Sequence, residues 1–153
     1  MPSKIIYAIF SILLIGCVSN GPDMKYEKMI STFFKMTSTE QIEQFSGYRL
    51  DEQYEIFIFG NQVVHPPAVY LAEPFAEGGV DIIPFLKSKL ESTQKDVTIR
   101  DIVTIFSEMR RLKIHDFSKD QGLIELIENK VNAMDGIWKD TAQKMVSEIQ
   151  SIE

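Results

Sequence analysis

Apolar residues recur along most of the chain every three or four positions, which is the spacing that places side chains on one face of an α-helix. Stripes of this kind run over residues 26–34, 99–112, 123–134 and 138–152. Gly136 separates the last two stripes, and Trp138 falls on the apolar face of the final one, where it is predicted to lie in the core. The pattern predicts an all-α fold, a compact bundle of antiparallel helices.

Polar residues predict where two of these helices begin. Ser38 is followed three positions later by Gln41, and Ser118 is followed in the same way by Gln121. A hydroxyl at the N-cap and a long amide or carboxylate three residues later make a capping box, in which each side chain binds the other residue's backbone N–H. A short helix is therefore predicted from Ser38 to the neighbourhood of Gly47.

Two middle segments need separate arguments. Asp81 is predicted to cap a helix over residues 82–90, which places Pro84 in the first turn, where its missing N–H breaks no helical hydrogen bond. Residues 54–64 are aromatic and β-branched with Gly60-Asn61 as a hairpin turn signal, so a β-hairpin is one interpretation. Because a lone hairpin is marginally stable and no third strand is evident, we predict a buried helix there.

The N-terminus has a different pattern. Lys4 is the only charge before an uncharged apolar run from Ile5 to Ile15. A basic start, a short apolar run and a small residue at its exit are typical of a secretory signal peptide, and the run is too short for a spanning helix. The alternative is an uncleaved signal anchor, which the short run disfavours.

The exit of this run, Leu14-Ile15-Gly16-Cys17, resembles the lipobox of bacterial lipoproteins. The resemblance implies that Leu14, Ile15 and Gly16 are read by the signal peptidase, that the thiol of Cys17 receives a diacylglyceryl group, and that cleavage precedes Cys17. It divides the chain into a signal peptide over residues 1–16, a lipidated cysteine with a polar, turn-rich tether over 17–23, and a single α-helical domain over 24–153. Val18, where an Asp favours inner-membrane retention in enterobacterial lipoproteins, favours an outer-membrane, periplasm-facing location in a two-membrane organism.

A second resemblance concerns the helical part. Ile82-Ile83-Pro84-Phe85-Leu86, followed by residues 96–103, resembles the second helix of one HEAT repeat and the opening of the next. HEAT repeats are α-solenoid units of paired antiparallel helices, so the resemblance implies a HEAT-like bundle. No second copy recurs at a fixed period, whereas stable solenoids need about three repeats.

Charge and cysteine content narrow the functional classes. The formal net charge is −6, which argues against nucleic-acid binding and against recruitment to anionic headgroups by a basic cluster. Cys17 is the single cysteine, so no intramolecular disulfide forms and lipidation is the role that explains it. Neither a cofactor nor a metal site is predicted.

Few residues are candidates for chemistry. His115-Asp116 pairs an imidazole with a carboxylate, but with no nucleophile or third ligand the simpler interpretation is a capped connection between helices. Asp116, Ser118 and Asp120 imitate the start of a calcium loop that lacks its later glycine and glutamate. His65-Pro66-Pro67 is predicted to be a rigid loop before a helix near residues 69–76.

A small basic cluster completes the candidates. Arg110, Arg111 and Lys113 lie at a helix end, where cations complement the helix dipole. Together with His65 and His115 they are the predicted partner-binding residues of a non-enzymatic, lipid-anchored module, of which an immunity protein is one form. The alternatives are a small periplasmic enzyme or metal-binding protein using His65 and His115, and a structural envelope component. Membrane contact is predicted through acyl chains on Cys17, together with an unidentified protein partner.

Overall fold

The computed structural model of the chain describes residues 22–151. Across that range the chain forms eight α-helices, four short 3-10 helices and no strand, so the predicted all-α class is confirmed. The α-helices are α1 (Pro22–Ser31), α2 (Ser38–Phe45), α3 (Leu50–Gln62), α4 (Ala72–Ala76), α5 (Ile83–Ser92), α6 (Asp96–Arg111), α7 (Gln121–Asn132) and α8 (Lys139–Gln150). The 3-10 helices cover Phe33–Lys35, Val69–Leu71, Val80–Ile82 and Phe117–Lys119.

Helix α6 is the centre of the bundle, and α3, α4, α5, α7 and α8 all pack against it. Its apolar stripe is buried from Ile99 to Met109, and Ile105, which lies outside that stripe, is buried as well; Leu112, after the helix, is partly buried. No residue from Asp96 to Arg110 is exposed, polar ones included, because five neighbouring helices cover α6 on most of its sides. Each fully buried Ile, Leu or Phe side chain contributes about 1.5–3 kcal/mol relative to leaving it in water.

Two ends of the bundle can be defined from contacts along α6. Gln62, the last residue of α3, donates hydrogen bonds to Thr98 and Asp101 in the first two turns of α6. Helix α1 runs antiparallel to α3, because Tyr26 stacks on Phe59 near the end of α3, whereas Met29 and Thr32 lie beside Glu52 and Ile56 nearer its start. The start of α1, the end of α3 and the start of α6 therefore lie together, and we name this region the entry end. The carboxyl end of α6, about 24 Å away at 1.5 Å per residue, is the distal end.

The first predicted capping box lies one residue from its predicted position. Thr37, not Ser38, is the N-cap of α2, and its hydroxyl accepts from the N–H of Glu40 at 3.4 Å. The Glu40 carboxylate accepts from the N–H of Thr37 at 2.8 Å. Glutamate suits this position better than an amide because its charge complements the positive end of the helix, and the bond to the Thr37 backbone lowers the pKa of Glu40. Gln41 instead is buried and donates to the carbonyl of Met36.

The second predicted capping box was also wrong. Asp120 caps α7 by accepting from the N–H of Leu123 at 3.2 Å, whereas Ser118 lies inside the preceding 3-10 helix. Asp116 caps that 3-10 helix, accepting from the N–H of Ser118 at 3.2 Å, so its predicted capping role is confirmed. The extra 3-10 turn uses three residues between the two caps and displaces the start of α7.

Three further boundaries test the sequence interpretation. Residues 54–64 fall mostly within α3, so the buried-helix prediction is confirmed and the hairpin is excluded. Asp81 does not cap a helix: it lies in a 3-10 turn that follows Gly79, whose φ of 77° favours glycine. Pro84 does lie in the first turn of α5. Pro22, a residue favoured at the first helical position, begins α1 two residues before the predicted start of the helical domain.

Within the described range, no helix is both long and apolar enough to cross a bilayer. The buried apolar side chains form one hydrophobic core. Helices α5 and α6, the pair that resembles HEAT helices, are joined by three residues and pack against each other. Lys130 of α7 closes this corner by donating to the carbonyls of Glu91 and Thr93, at 2.8 Å each.

Candidate functional site

The predicted lipidation site lies outside the described residues. Leu14, Ile15, Gly16 and Cys17, the signal peptide over 1–16 and the tether up to residue 21 all precede α1. They stay predictions from sequence. The other candidate residues lie within the helical bundle and can be placed.

His115 and Asp116 do not form the imidazole–carboxylate pair that was the less favoured interpretation of the sequence. Nε2 of His115 lies 3.3 Å from a carboxylate oxygen of Asp120, at ion-pair distance but without hydrogen-bond geometry. The imidazole also meets the Phe117 ring edge-on, with 4.8 Å between ring centroids. Asp116 turns away and pairs with Lys119 at 2.8 Å. Asp120, not Asp116, lies beside the imidazole because residues 117–119 turn as a 3-10 helix and bring position 120 back to His115.

The carboxylate of Asp116 is well supplied with donors. The Lys119 ammonium and the Ser118 hydroxyl, the latter at 2.6 Å, bind it and lower its pKa to about 2. The residues that imitate the start of a calcium loop thus serve as helix caps: Asp116 caps the 3-10 helix and Asp120 caps α7. Among residues 22–151 there is no group of three side chains arranged to hold a metal ion.

The basic cluster does not form one patch. Arg110 donates to the carbonyl of Ser151 at 2.6 Å, and so faces the end of α8. Arg111 pairs with Glu73 of α4 and Glu108 of α6, at 2.7 Å each, and these bonds raise its pKa. Lys113 follows in a left-handed backbone conformation with φ of 57°.

The distal end carries two shallow depressions separated by Arg110 and Arg111. One, of about 380 Å³, is polar and brings together three of the predicted residues, Arg110, Lys113 and His115. The other, of about 400 Å³, has the exposed apolar side chains of Ile42 and Val69 beside the Arg111–Glu73 ion pair. His65 is exposed in the loop that follows α3 and lines neither depression.

One groove was not predicted. It has a volume of about 560 Å³ and lies between α1 and α3 at the entry end. Its lining is mostly apolar and includes Tyr26, Ile30 and Val63, of which Tyr26 stacks on Phe59 at 4.9 Å between centroids. The sequence signal was that residues 54–64 carry more apolar side chains than one neighbouring helix can cover.

A buried polar network lies beneath the groove. The amide of Gln62, which lines the groove, donates to Asp101 at 2.9 Å and to Thr98 at 3.1 Å. Arg100 binds the other oxygen of Asp101, with 3.0 Å from its Nε. Burial raises the pKa of Asp101, although the bonds from Gln62 and Arg100 oppose the shift. Burial, and then the charge of Asp101, raise the pKa of Tyr54 to about 12.

Trp138 is not the core residue predicted from its stripe. It precedes α8 rather than lying within it, is 37% exposed, and stacks on the Arg100 guanidinium at 4.1 Å from its ring centroid. A ring in this position gains a cation–π contact while it covers one side of a nearly buried charge. Ile137 beside it is 86% exposed.

Comparison of the chain with protein-family models, with curated proteins and with solved structures finds no match. The HEAT-like resemblance therefore stays a prediction.

Proposed function

We propose that this chain is the precursor of a bacterial lipoprotein, anchored in the cell envelope through acyl chains on Cys17, and that its helical domain binds a protein partner without catalysing a reaction. The observation that carries the anchor is the lipobox-like Leu14-Ile15-Gly16-Cys17 at the end of an uncharged run. Two or three acyl chains, at about 0.8 kcal/mol per buried CH₂, hold a protein stably on a membrane. Val18 favours the outer membrane in a two-membrane organism.

The partner surface in this proposal is the distal end. Ile42 and Val69, the latter 56% exposed, form an apolar centre, and the Arg111–Glu73 pair forms a charged rim. Protein interfaces have this arrangement of apolar centre and polar rim. Glu108 and Arg111, which line this depression, lie in the last turn of α6, so the depression reaches the distal end and a domain anchored ahead of α1 leaves it accessible.

The placement of the two histidines supports binding over catalysis. His115 contacts Asp120 and Phe117, and His65 lies in a loop that does not line the depression containing His115. A general base needs its substrate proton within hydrogen-bond reach, and a second catalytic group close by. His65 and His115 do not lie close together around one depression, so the geometry does not favour a shared catalytic role.

The anchor is tested by mass spectrometry of the N-terminal peptide from the full chain, expressed in a host that processes lipoproteins. We expect cleavage before Cys17 and an acylated cysteine. The variant Cys17→Ser removes the thiol nucleophile and should accumulate as an uncleaved, unacylated precursor. Normal processing of that variant would contradict the proposal.

The partner surface is tested by placing a photo-crosslinking residue at Val69 in the full chain and, as a matched control, at Glu125 on the exposed face of α7. We expect one discrete cross-linked protein from Val69 that is absent from Glu125. Arg111→Ala, which removes the rim cation, should weaken that cross-link. The same products from both positions would show that the distal end is not a specific surface.

A further inference from the structure

The entry end exposes apolar and aromatic side chains from three separate elements. Tyr26 of α1 is 42% exposed and Val63 after α3 is 53% exposed. Ile137 and Trp138, in the connection before α8, continue this surface on the other side of the Gln62–Asp101 hydrogen bond. Single exposed apolar residues are normal on a protein surface, but a grouped set that includes Trp and Tyr indicates contact with another phase or molecule.

These side chains are held in place by the fold. Trp138 rests on Arg100, Arg100 binds Asp101, and Asp101 is bound by Gln62 of α3. The neighbouring Gly136 donates to the carboxylate of Asp96 at 2.7 Å, which fixes the connection against the start of α6. The Arg100 charge is thereby paired and covered, and the exposed part of the connection is the isoleucine and one face of the indole.

We infer that the entry end rests on the bilayer surface, with Ile137 and Trp138 at the boundary between headgroups and acyl chains. The inference rests on the proposed anchor at Cys17. Pro22 begins α1 five positions after Cys17, so at most about 3.5 Å per residue keeps Pro22, at the entry end, within roughly 18 Å of the Cα of Cys17. Trp and Tyr favour this boundary because an apolar ring body carries a polar N–H or O–H.

The charges at this end select the lipid. Asp135 and Asp140 flank the exposed pair and are exposed themselves, and Asp96 lies beside Gly136. The cations here are Lys139, which donates to the carbonyl of Asn132, and Lys95 at the start of α6, so carboxylates outnumber them. Acidic side chains are repelled by anionic headgroups, so the surface fits neutral, zwitterionic phospholipid. Contact made by apolar burial should depend little on salt, whereas attraction between charges is screened within about 10 Å at 0.1 M salt.

Trp138 is the single tryptophan of the chain, so intrinsic fluorescence reports on this position alone. The full chain, produced in a host that processes lipoproteins, is reconstituted on phosphatidylcholine vesicles whose acyl chains are brominated or unmodified. We expect bromine to quench Trp138 and the emission to shift to the blue. Ile137→Ser should reduce the quenching. Val80→Ser, which changes an exposed apolar residue outside both the entry-end set and the partner surface, should leave it unchanged.

Vesicle flotation and N-terminal mass spectrometry on the same samples separate this inference from the proposed anchor. An acylated protein that floats but is not quenched overturns the contact and leaves the anchor intact. An unacylated protein whose Trp138 is still quenched refutes the anchor and supports the contact, and loss of both overturns both. Quenching that appears only with anionic lipid and disappears with salt also overturns the inference. So does shielding of Trp138 without vesicles, which indicates a second copy or a protein partner on this surface.

Discussion

Gly60 is the position at which a single added methyl group should disturb the fold most directly. It lies within α3 and is buried against the chain that follows the helix. A Cβ at this position would lie 2.8 Å from the Cβ of Ala68 and 2.9 Å from Cζ of Phe34. Carbon atoms in favourable contact are about 3.5–4.0 Å apart. The Ala68 N–H also donates to the Gly60 carbonyl at 3.0 Å, so the two backbones cannot separate without loss of that bond.

The size of the effect follows from two opposing terms. Alanine is favoured over glycine in a helix interior by about 1 kcal/mol, which stabilises Gly60→Ala. Overpacking a well-filled core destabilises by about 1–3 kcal/mol. We expect Gly60→Ala to lower the free energy of unfolding by up to about 2 kcal/mol, because Ala68 is held by its backbone and cannot move aside as a flexible side chain does.

Gly122 supplies the matched control, since it is exposed in the first turn of α7 and a Cβ there meets nothing within 4 Å. Gly122→Ala should stabilise by about 0.4–1 kcal/mol. The two variants, compared by urea unfolding followed by circular dichroism, should therefore differ by about 0.4–3 kcal/mol.

A double variant identifies the clash itself. Adding Ala68→Gly to Gly60→Ala removes the closest contact, so the pair should be more stable than the sum of the two single changes predicts, by at least about 0.5 kcal/mol. Additive single changes, or a Gly60→Ala variant as stable as Gly122→Ala, would refute the packing argument.

Three further predictions concern hydrogen bonds. Asp96→Ala should destabilise by about 1–2 kcal/mol, because the carboxylate accepts from the N–H groups of Asp135 and Gly136; an unchanged urea midpoint would contradict this. Gln62→Ala removes a donor from buried Asp101 and should destabilise by about 1–3 kcal/mol, more at pH 7 than at pH 4, since the lost bond favours the ionised carboxylate; equal losses at both pH values would contradict it. The pKa of Asp116 is lowered from 3.8 to about 2, so its contribution is present above pH 4 and lost as pH falls towards 2; Asp116→Asn should give a shallower acid-side loss in unfolding measurements.

Much of the fold could be predicted from the sequence because its information is local. The apolar spacing of residues 99–112 marks α6, and Gly136 marks the break before α8. Helix starts were less predictable, since several polar residues near each start can accept the same N–H groups. Asp120 rather than Ser118 caps α7 because a 3-10 turn intervenes, and no apolar period reveals a turn of three residues.

The candidate surfaces were less predictable because they depend on contacts between distant residues. Arg110 and Arg111 are adjacent in sequence, but they face α8 and α4 respectively. Trp138 shares the period of α8 but precedes its first turn, where Arg100 instead of core atoms is its neighbour. A helical period gives the direction of a side chain only while the helix continues, so the interpretation of Trp138 failed at the helix boundary.

Burying the charged network around Asp101 costs desolvation energy, so packing of the core alone does not explain why the network is there. A buried, paired charge is often no more stabilising than an apolar residue of the same size, because desolvation offsets the attraction. Here the carboxylate of Asp101 joins Gln62 of α3 to Arg100 of α6, and Arg100 stacks on Trp138, which directly precedes α8. Apolar side chains could fill the same space in several registers, whereas these directional bonds are satisfied in one. We interpret the network as the feature that fixes α3, α6 and α8 relative to one another, and hence sets the groove beside Tyr26 and the exposed Ile137 at the same end of the bundle.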